Sequence, residues 1–236
     1  SNKFLLVTKK IIFVKKIIMS TVTKENYLKA LHYLHQKNIH ISLTELGKKM
    51  GVSKPTVNDM VKKLQANGWV NYERYKPIKL TDEGKKTAAF IVRKHRLSEM
   101  FLVKIMGFGW EQVHDIAEEL EHTKSDILFD RMDELLGFPT VDPHGSPIPD
   151  KEGNFFKQNY KLLSQVTEKS KVIVKGLRDS STDLLLLLNK KELVLGTEVY
   201  IQYVESFDKT VTISYAGHTD VSLSDSVSSR LFVEVI

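Results

Sequence analysis

Residues 42 to 68, SLTELGKKMGVSKPTVNDMVKKLQANG, constrain the fold more than any other stretch of the 236-residue chain. Ser42 can cap a short helix over LTELGKKM, Gly51 stops it, and Ser53 caps a second helix with Pro55 in its first turn, where a missing N–H costs nothing. In that second helix Val57, Met60, Val61 and Leu64 face inward, while Lys54, Thr56, Asn58, Asp59 and Lys62 face outward and Gly68 closes it. Helix, glycine turn, helix at this spacing is a helix-turn-helix pattern.

The flanking chain supports it. Thr23 caps a helix running from Lys24 to about Lys37, with Tyr27, Leu28, Leu31 and Leu34 as its apolar stripe. After Gly68, WVNYERY and IKLT read as two short strands around Tyr75-Lys76-Pro77, a small β wing. Thr81 then caps a long helix, DEGKKTAAFIVRKHRLSEMFLVKIMG, which Gly107-Phe108-Gly109 breaks. A helix is expected from about Trp110, and another from Ser125 to about Leu136. The apolar Ile127, Leu128, Met132, Leu135 and Leu136 of the latter exceed what one exposed helix leaves uncovered, which places it in a dimer interface.

PTVDPHGSPIPDKEG holds four of the six prolines and reads as a boundary loop. Beyond it, alternating runs such as SKVIVKGL, TEVYIQYV, TVTISY and RLFVEVI enclose a short helix at Asp183 to Asn189, a small barrel-like β domain. The expected fold is therefore mainly α with a β C-terminal domain. Its expected parts are an N-terminal extension (1–20), a winged helix-turn-helix domain (21–90), a helical metal-binding and dimerisation domain (91–142), a linker (143–164) and an SH3-like β domain (165–236). In the extension, lysine pairs at 9–10 and 15–16 interrupt the apolar runs well short of the roughly 20 residues of a membrane span. It reads as neither a span nor a signal peptide, but as a segment upstream of a natural start at Met19.

Composition enters through charge and sulfur. The formal charge of +6 divides unevenly: residues 1–90 hold 18 Lys/Arg against 6 Asp/Glu, and the rest of the chain is net acidic. The basic half is the part suited to a polyanion. In a helix-turn-helix the second helix offers its first residues to base edges, here Ser53, Lys54, Pro55, Thr56, Asn58 and Asp59. Lys62, Lys63, Arg74, Lys76 and Lys79 are the expected phosphate contacts. Cysteine is absent, so disulfides, thiolate metal sites and cysteine nucleophiles are excluded.

One further stretch carries chemistry. In HDIAEELEH, residues 114–122, helical geometry gathers His114, Glu118, Glu121 and His122 within an arc of about 100°. Two imidazoles and two carboxylates without thiolate suit manganese, ferrous iron or zinc. His95 and Glu99, at i and i+4 on the long helix, could join that face if the two helices pack antiparallel across the Gly107 turn. His32, His35, His40 and His218 read as surface or packing residues. Glu111-Gln-Val-His114 and Glu119-Leu-Glu-His122 are both Glu-x-x-His, the motif of carboxylate-bridged di-metal enzymes, but such enzymes place the two motifs on different helices.

KENYLKAL (24–31), VSKPTVNDMVKKL (52–64), RKHRLSEMFL (93–102), VHDIAEELEHTKSD (113–126) and DPHGSPIP (142–149) together resemble the metal-dependent transcriptional regulators that include the diphtheria toxin repressor and the manganese transport regulators. The resemblance covers nearly the whole chain after Met19 and implies a cytoplasmic, non-enzymatic repressor. It implies a homodimer on palindromic double-stranded operator DNA with a metal corepressor, and no small-molecule substrate or membrane partner. The implied main site is Asn26, Glu118, Glu121 and His122, with His95 also at a ligand position. A neighbouring site would use Glu99, Asp142, His144 and Asp179, and His114 matches an ancillary ligand of the iron-responsive branch.

Four departures bear on the metal. Glu118 stands where iron-responsive members carry cysteine, which favours Mn(2+) over the alternative Fe(2+), with Zn(2+) or other divalent metals able to bind in vitro. Asn26 replaces an aspartate or methionine, Lys29 a glutamate of a two-manganese member, and Asp142 a cysteine of some relatives.

Overall fold

The structure, a computed structural model, describes residues 21–37 and 39–236, so the expected extension and the start at Met19 lie outside the described residues. The chain divides into two units. The first comprises the described residues up to Lys94 with Glu121–Lys124 and Pro149–Asn154; the second comprises His95–Leu120, Ser125–Ile148 and Phe155–Ile236.

In the first unit, residues 21–36 form helix α1, so Thr23 lies inside that helix and does not cap it. Helix α2 (Leu43–Met50) begins as its sequence dictates: Ser42 accepts from the Glu45 backbone N–H, and Gly51 ends it at φ 66°, a left-handed conformation natural to glycine. Helix α3 (Lys54–Ala66) follows with Pro55 in its first turn. Ser53 does not cap it with its side chain; that hydroxyl pairs instead with Thr56 Oγ1 at 2.9 Å. Strands β1 (Val70–Asn71) and β2 (Lys79–Leu80) pair antiparallel as the wing. Thr81 caps α4 (Asp82–Lys104) through the Gly84 N–H, and a Cβ at Gly84 would lie 1.9 Å from the Trp69 carbonyl oxygen. Tyr27, Leu28, Leu31, Leu46, Val57, Val61, Leu64, Val70, Ile78 and Leu80 form the shared core, so wing and helices are one hydrophobic body.

The second unit holds α5 (His114–Leu120), α6 (Asp126–Leu135) and a six-stranded antiparallel sheet. Its strands are β3 (Lys161–Leu162), β4 (Lys171–Leu177), β5 (Glu198–Val204), β6 (Val211–Tyr215), β7 (His218–Leu223) and β8 (Leu231–Val235), in the order β3-β8-β4-β5-β6-β7. Register shifts between Val174 and Gly176, Ile201 and Tyr203, and Ile213 and Tyr215 bend it. Helix α7 (Thr182–Lys190) covers the curved sheet with Leu184, Leu185 and Leu188, and a short α8 (Asp225–Ser228) precedes β8. Phe129 and Met132 of α6 pack on Leu97 and Ile148, while Ile127 and Leu135 stay exposed. No helix among the described residues is long and apolar enough to cross a membrane.

The expectation of a helix running from about Trp110 through His122 needs correcting. Helix α5 starts at His114 and stops at Leu120, so Glu121 and His122 stand on the turn after it, and the four expected ligands do not share one helical face. The physical reason is the Glu121 side chain, which is fully buried against a cation in the first unit. Seven residues of helix are too marginal to resist that demand.

Leu188 and Leu186 separate burial from composition. Leu188→Ala should lower unfolding free energy by about 2–5 kcal/mol, and Leu186→Ala, half exposed, by less than about 0.5 kcal/mol, as read from urea denaturation midpoints.

Candidate metal centre

In the second unit Glu99 is the hub of a buried polar cluster. The residue is 3% exposed, and three imidazoles approach it: His95 Nε2 at 3.1 Å and His114 Nδ1 at 3.4 Å from Oε1, and His144 Nδ1 at 3.8 Å from Oε2. His95 sits one helical turn before Glu99 on α4, and His114 opens α5, so the expected meeting across the Gly107 turn occurs through His114. His144 comes from the Pro/Gly-rich loop, where Asp142 Oδ1 accepts the backbone N–H groups of His144 and Ser146 at 2.8 and 2.9 Å. The His144 Nε2–H donates to the Trp110 carbonyl at 2.9 Å, since a carbonyl only accepts. That leaves Nδ1 as the nitrogen presented to Glu99.

The electrostatics set the two buried acids of this cluster apart. Burial pushes the Glu99 carboxyl up, but hydrogen bonds with His114 and His95 and the charge of His95 and His144 outweigh it and hold it well below the usual carboxylate range. Burial and the neighbouring Glu99 charge push Asp142 the other way, against the opposing pull of Arg96, His144 and Ser146. Two neighbouring buried carboxyls offer a divalent ion oxygen donors from one site. Donor atoms of His95, Glu99 and His114 lie within 4.8 Å of one another, as do those of Glu99, Asp142 and His144. Glu118 stands at the edge of this group, with Oε1 4.0 Å from His114 Nε2. Asp179 lines a cleft of about 350 Å³ with His114 and His144, but its Oδ2 accepts from Arg230 Nε at 2.7 Å.

The first unit also holds a polar cluster. The Lys29 ammonium lies 2.7 Å from both carboxylate oxygens of Glu121, and His122 Nδ1–H donates to Glu25 Oε2 at 2.5 Å. Glu25 and Lys29 are one turn apart on α1, and Asn26 lies beside them with its side-chain oxygen buried and without a hydrogen-bond partner among the described residues. An orphaned buried carbonyl oxygen is costly, and a cation is the partner an oxygen of this kind accepts. Sequence reasoning missed Glu25 and the role of Lys29, although both lie in the same KENYLKAL motif as Asn26.

The surface expected to read DNA faces a groove of about 850 Å³ between α3 and the wing. Lys54, Pro55, Asn58, Lys62, Arg74 and Lys76 line it together with His40, Thr44, Tyr72 and Tyr75, which the sequence reading did not select. Lys54, Thr56, Asp59, Lys62, Lys63 and Lys79 are exposed. Asn58 Oδ1 accepts from the Tyr72 hydroxyl at 3.0 Å, which braces helix against wing. Polar groups at the start of an exposed helix, ringed by lysines, are what major-groove reading requires.

Three family models match in succession: an iron dependent repressor N-terminal DNA binding domain over residues 19–78, an iron dependent repressor metal binding and dimerisation domain over 81–150, and a FeoA domain over 161–235. The iron-dependent repressor IdeR of Mycobacterium tuberculosis strain H37Rv is 27% identical over 226 residues, 91% of this chain and 97% of its own length. A manganese-dependent transcriptional repressor in complex with manganese has a TM-score of 0.80 at 30% identity, over 90% of this chain and 100% of that one. The manganese regulator SloR has a TM-score of 0.70 at 33% identity, over 90% and 98%.

Because Glu99 is buried, its partners should matter even without metal. His95→Ala should destabilise chelator-treated protein by about 1–3 kcal/mol in urea denaturation, and His114→Ala, whose ring is largely exposed, by clearly less.

Proposed function

From its membership of the iron-dependent repressor family of metal-dependent, DNA-binding transcriptional repressors, which are not enzymes, we propose that this chain represses metal-uptake genes with manganese as corepressor. It would act in the cytoplasm, as a homodimer on palindromic double-stranded operator DNA. The observation that carries the metal choice is the donor chemistry: the clusters offer only imidazole nitrogen and carboxylate or amide oxygen, and the chain has no cysteine. Such donors suit manganese better than a thiolate-bearing site would. The 27% identity to an iron-dependent repressor supports ferrous iron as the second reading.

We assign Asn26, Glu118, Glu121 and His122 to one metal, with Glu118 included on the sequence argument alone. Glu99, Asp142, His144 and Asp179 are assigned to another, and the contacts of His95 and His114 with Glu99 support placing both rings there. A bound dication supplies the charge that lets these acids lie together. Asn26 belongs to α1, just before the helix-turn-helix, whereas Glu121 and His122 follow α5 in the chain. An ion held by Asn26, Glu121 and His122 would tie the helix that precedes the DNA-reading pair to the turn that follows α5. Metal then selects the spacing of the two recognition helices in the dimer, and operator DNA tightens metal binding by the same factor.

A gel shift on a palindromic promoter fragment tests this with manganese, anaerobic ferrous iron and zinc titrated against chelated protein. Metal should raise DNA affinity; equal affinity with and without every metal sinks the corepressor reading. His122→Ala should abolish that stimulation. Glu118→Cys should weaken the manganese response relative to iron, and unchanged selectivity would contradict the donor argument. Lys62→Ala should lower affinity for all sequences alike and reduce the salt slope by about 1.

A further inference from the structure

Lys29 is the least expected member of the first cluster, because an ammonium cannot ligate a metal and yet it sits on a carboxylate assigned to hold one. Its Nζ is 2.7 Å from both Glu121 oxygens, with Lys29 7% and Glu121 1% exposed. Both oxygens therefore face one buried positive charge. Around them the other donors are already arranged. Glu25, one turn before Lys29, holds His122 through Nδ1, which leaves Nε2 3.6 Å from Glu121 Oε1. A carboxylate fixing one imidazole nitrogen so that the other is free is the usual support of a metal-binding histidine. Asn26, on the same helix, keeps its buried oxygen unpartnered.

We propose that Lys29 is a tethered competitor for the metal: its ammonium occupies the Glu121 carboxylate in metal-free protein, and a divalent cation binds there by displacing it. This rests on the ligand assignment made above. Nζ already spans both Glu121 oxygens, and a metal bond of about 2.0–2.2 Å to either would set two positive charges a few ångströms apart across a single negative one in a dry site, which favours exchange over sharing. The tether has two effects. Without metal it spares the protein an uncompensated buried carboxylate. With metal present, the apparent affinity is the intrinsic one reduced by the fraction of molecules in which Nζ has left Glu121. Lys29 thus sets the metal concentration at which the site fills, and it disfavours monovalent cations, which bring no more charge than the ammonium they would replace.

The test is a Mn(2+) titration of the full chain, followed by the electron paramagnetic resonance signal of free Mn(2+), in wild type, Lys29→Met, Lys29→Gln and Glu121→Gln. Both Lys29 variants should bind Mn(2+) about tenfold or more tightly than wild type. Their metal-free Tm should be lower, and the rise in Tm on adding Mn(2+) larger. Lys29→Gln, which keeps a hydrogen-bond donor, serves if Lys29→Met does not fold. Glu121→Gln should lose the site. Wild-type binding by Glu121→Gln overturns the ligand assignment and the Lys29 proposal together. Loss of the site in Glu121→Gln, with Lys29→Gln binding no more tightly than wild type, leaves the assignment standing and overturns the competitor role alone.

Discussion

A carboxylate removed from water has to be answered by positive charge or by hydrogen bonds, and this requirement organises both units. Glu99 meets it with three imidazoles drawn from α4, α5 and the Asp142–Ser146 turn. Glu121 meets it with the Lys29 ammonium of α1 at 2.7 Å and the His122 ring at 3.6 Å. In each case groups distant in sequence are drawn to a buried acid, and the chain between them is routed accordingly. The solutions differ in kind: imidazoles carry lone pairs that a metal could use, while an ammonium has none.

The reading surface follows the opposite economy. Its polar side chains remain in solvent, and its shape is imposed from the apolar side, where Val57, Val61 and Leu64 of α3 join Val70, Ile78 and Leu80 of the wing. Ile78 N–H donates to the Ile41 carbonyl at 2.8 Å, and Thr81 Oγ1 donates to the Gly68 carbonyl at 2.7 Å, so the wing is hydrogen-bonded at both ends to the chain around the helix pair. A surface built this way offers fixed geometry with solvated side chains, which is suited to a partner that supplies its own charge.

Much of this was legible in the sequence, because local punctuation decided it. Ser42, Gly51, Pro55 and Thr81 mark element boundaries that the structure observes. Alternation located four of the six strands, β4, β5, β6 and β8, and the helix expected at Asp183 to Asn189 is α7, with Leu186 its exposed leucine. Tertiary demands were not legible. Helical periodicity carried α5 through His122, whereas the buried Lys29–Glu121 pair ends it at Leu120. The partnership of Glu25 with His122, nearly a hundred positions apart, leaves no trace in local pattern. Tyr72 and Tyr75 were assigned only to a wing, since nothing local says that they line the groove with α3.

Gly145 and Gly176 meet back to back: a Cβ on Gly145 would lie 2.4 Å from the Gly176 Cα and 2.2 Å from the Lys175 carbonyl oxygen. Leu177 N–H donates to the His144 carbonyl at 2.8 Å immediately beside them. The turn that aims His144 is thus moulded on strand β4, and the sheet is part of the mounting of a buried imidazole that faces Glu99. Modularity in this chain is therefore incomplete. A version cut before β4 would retain every residue from Glu99 to His144 and lose the surface that holds the last of them in place.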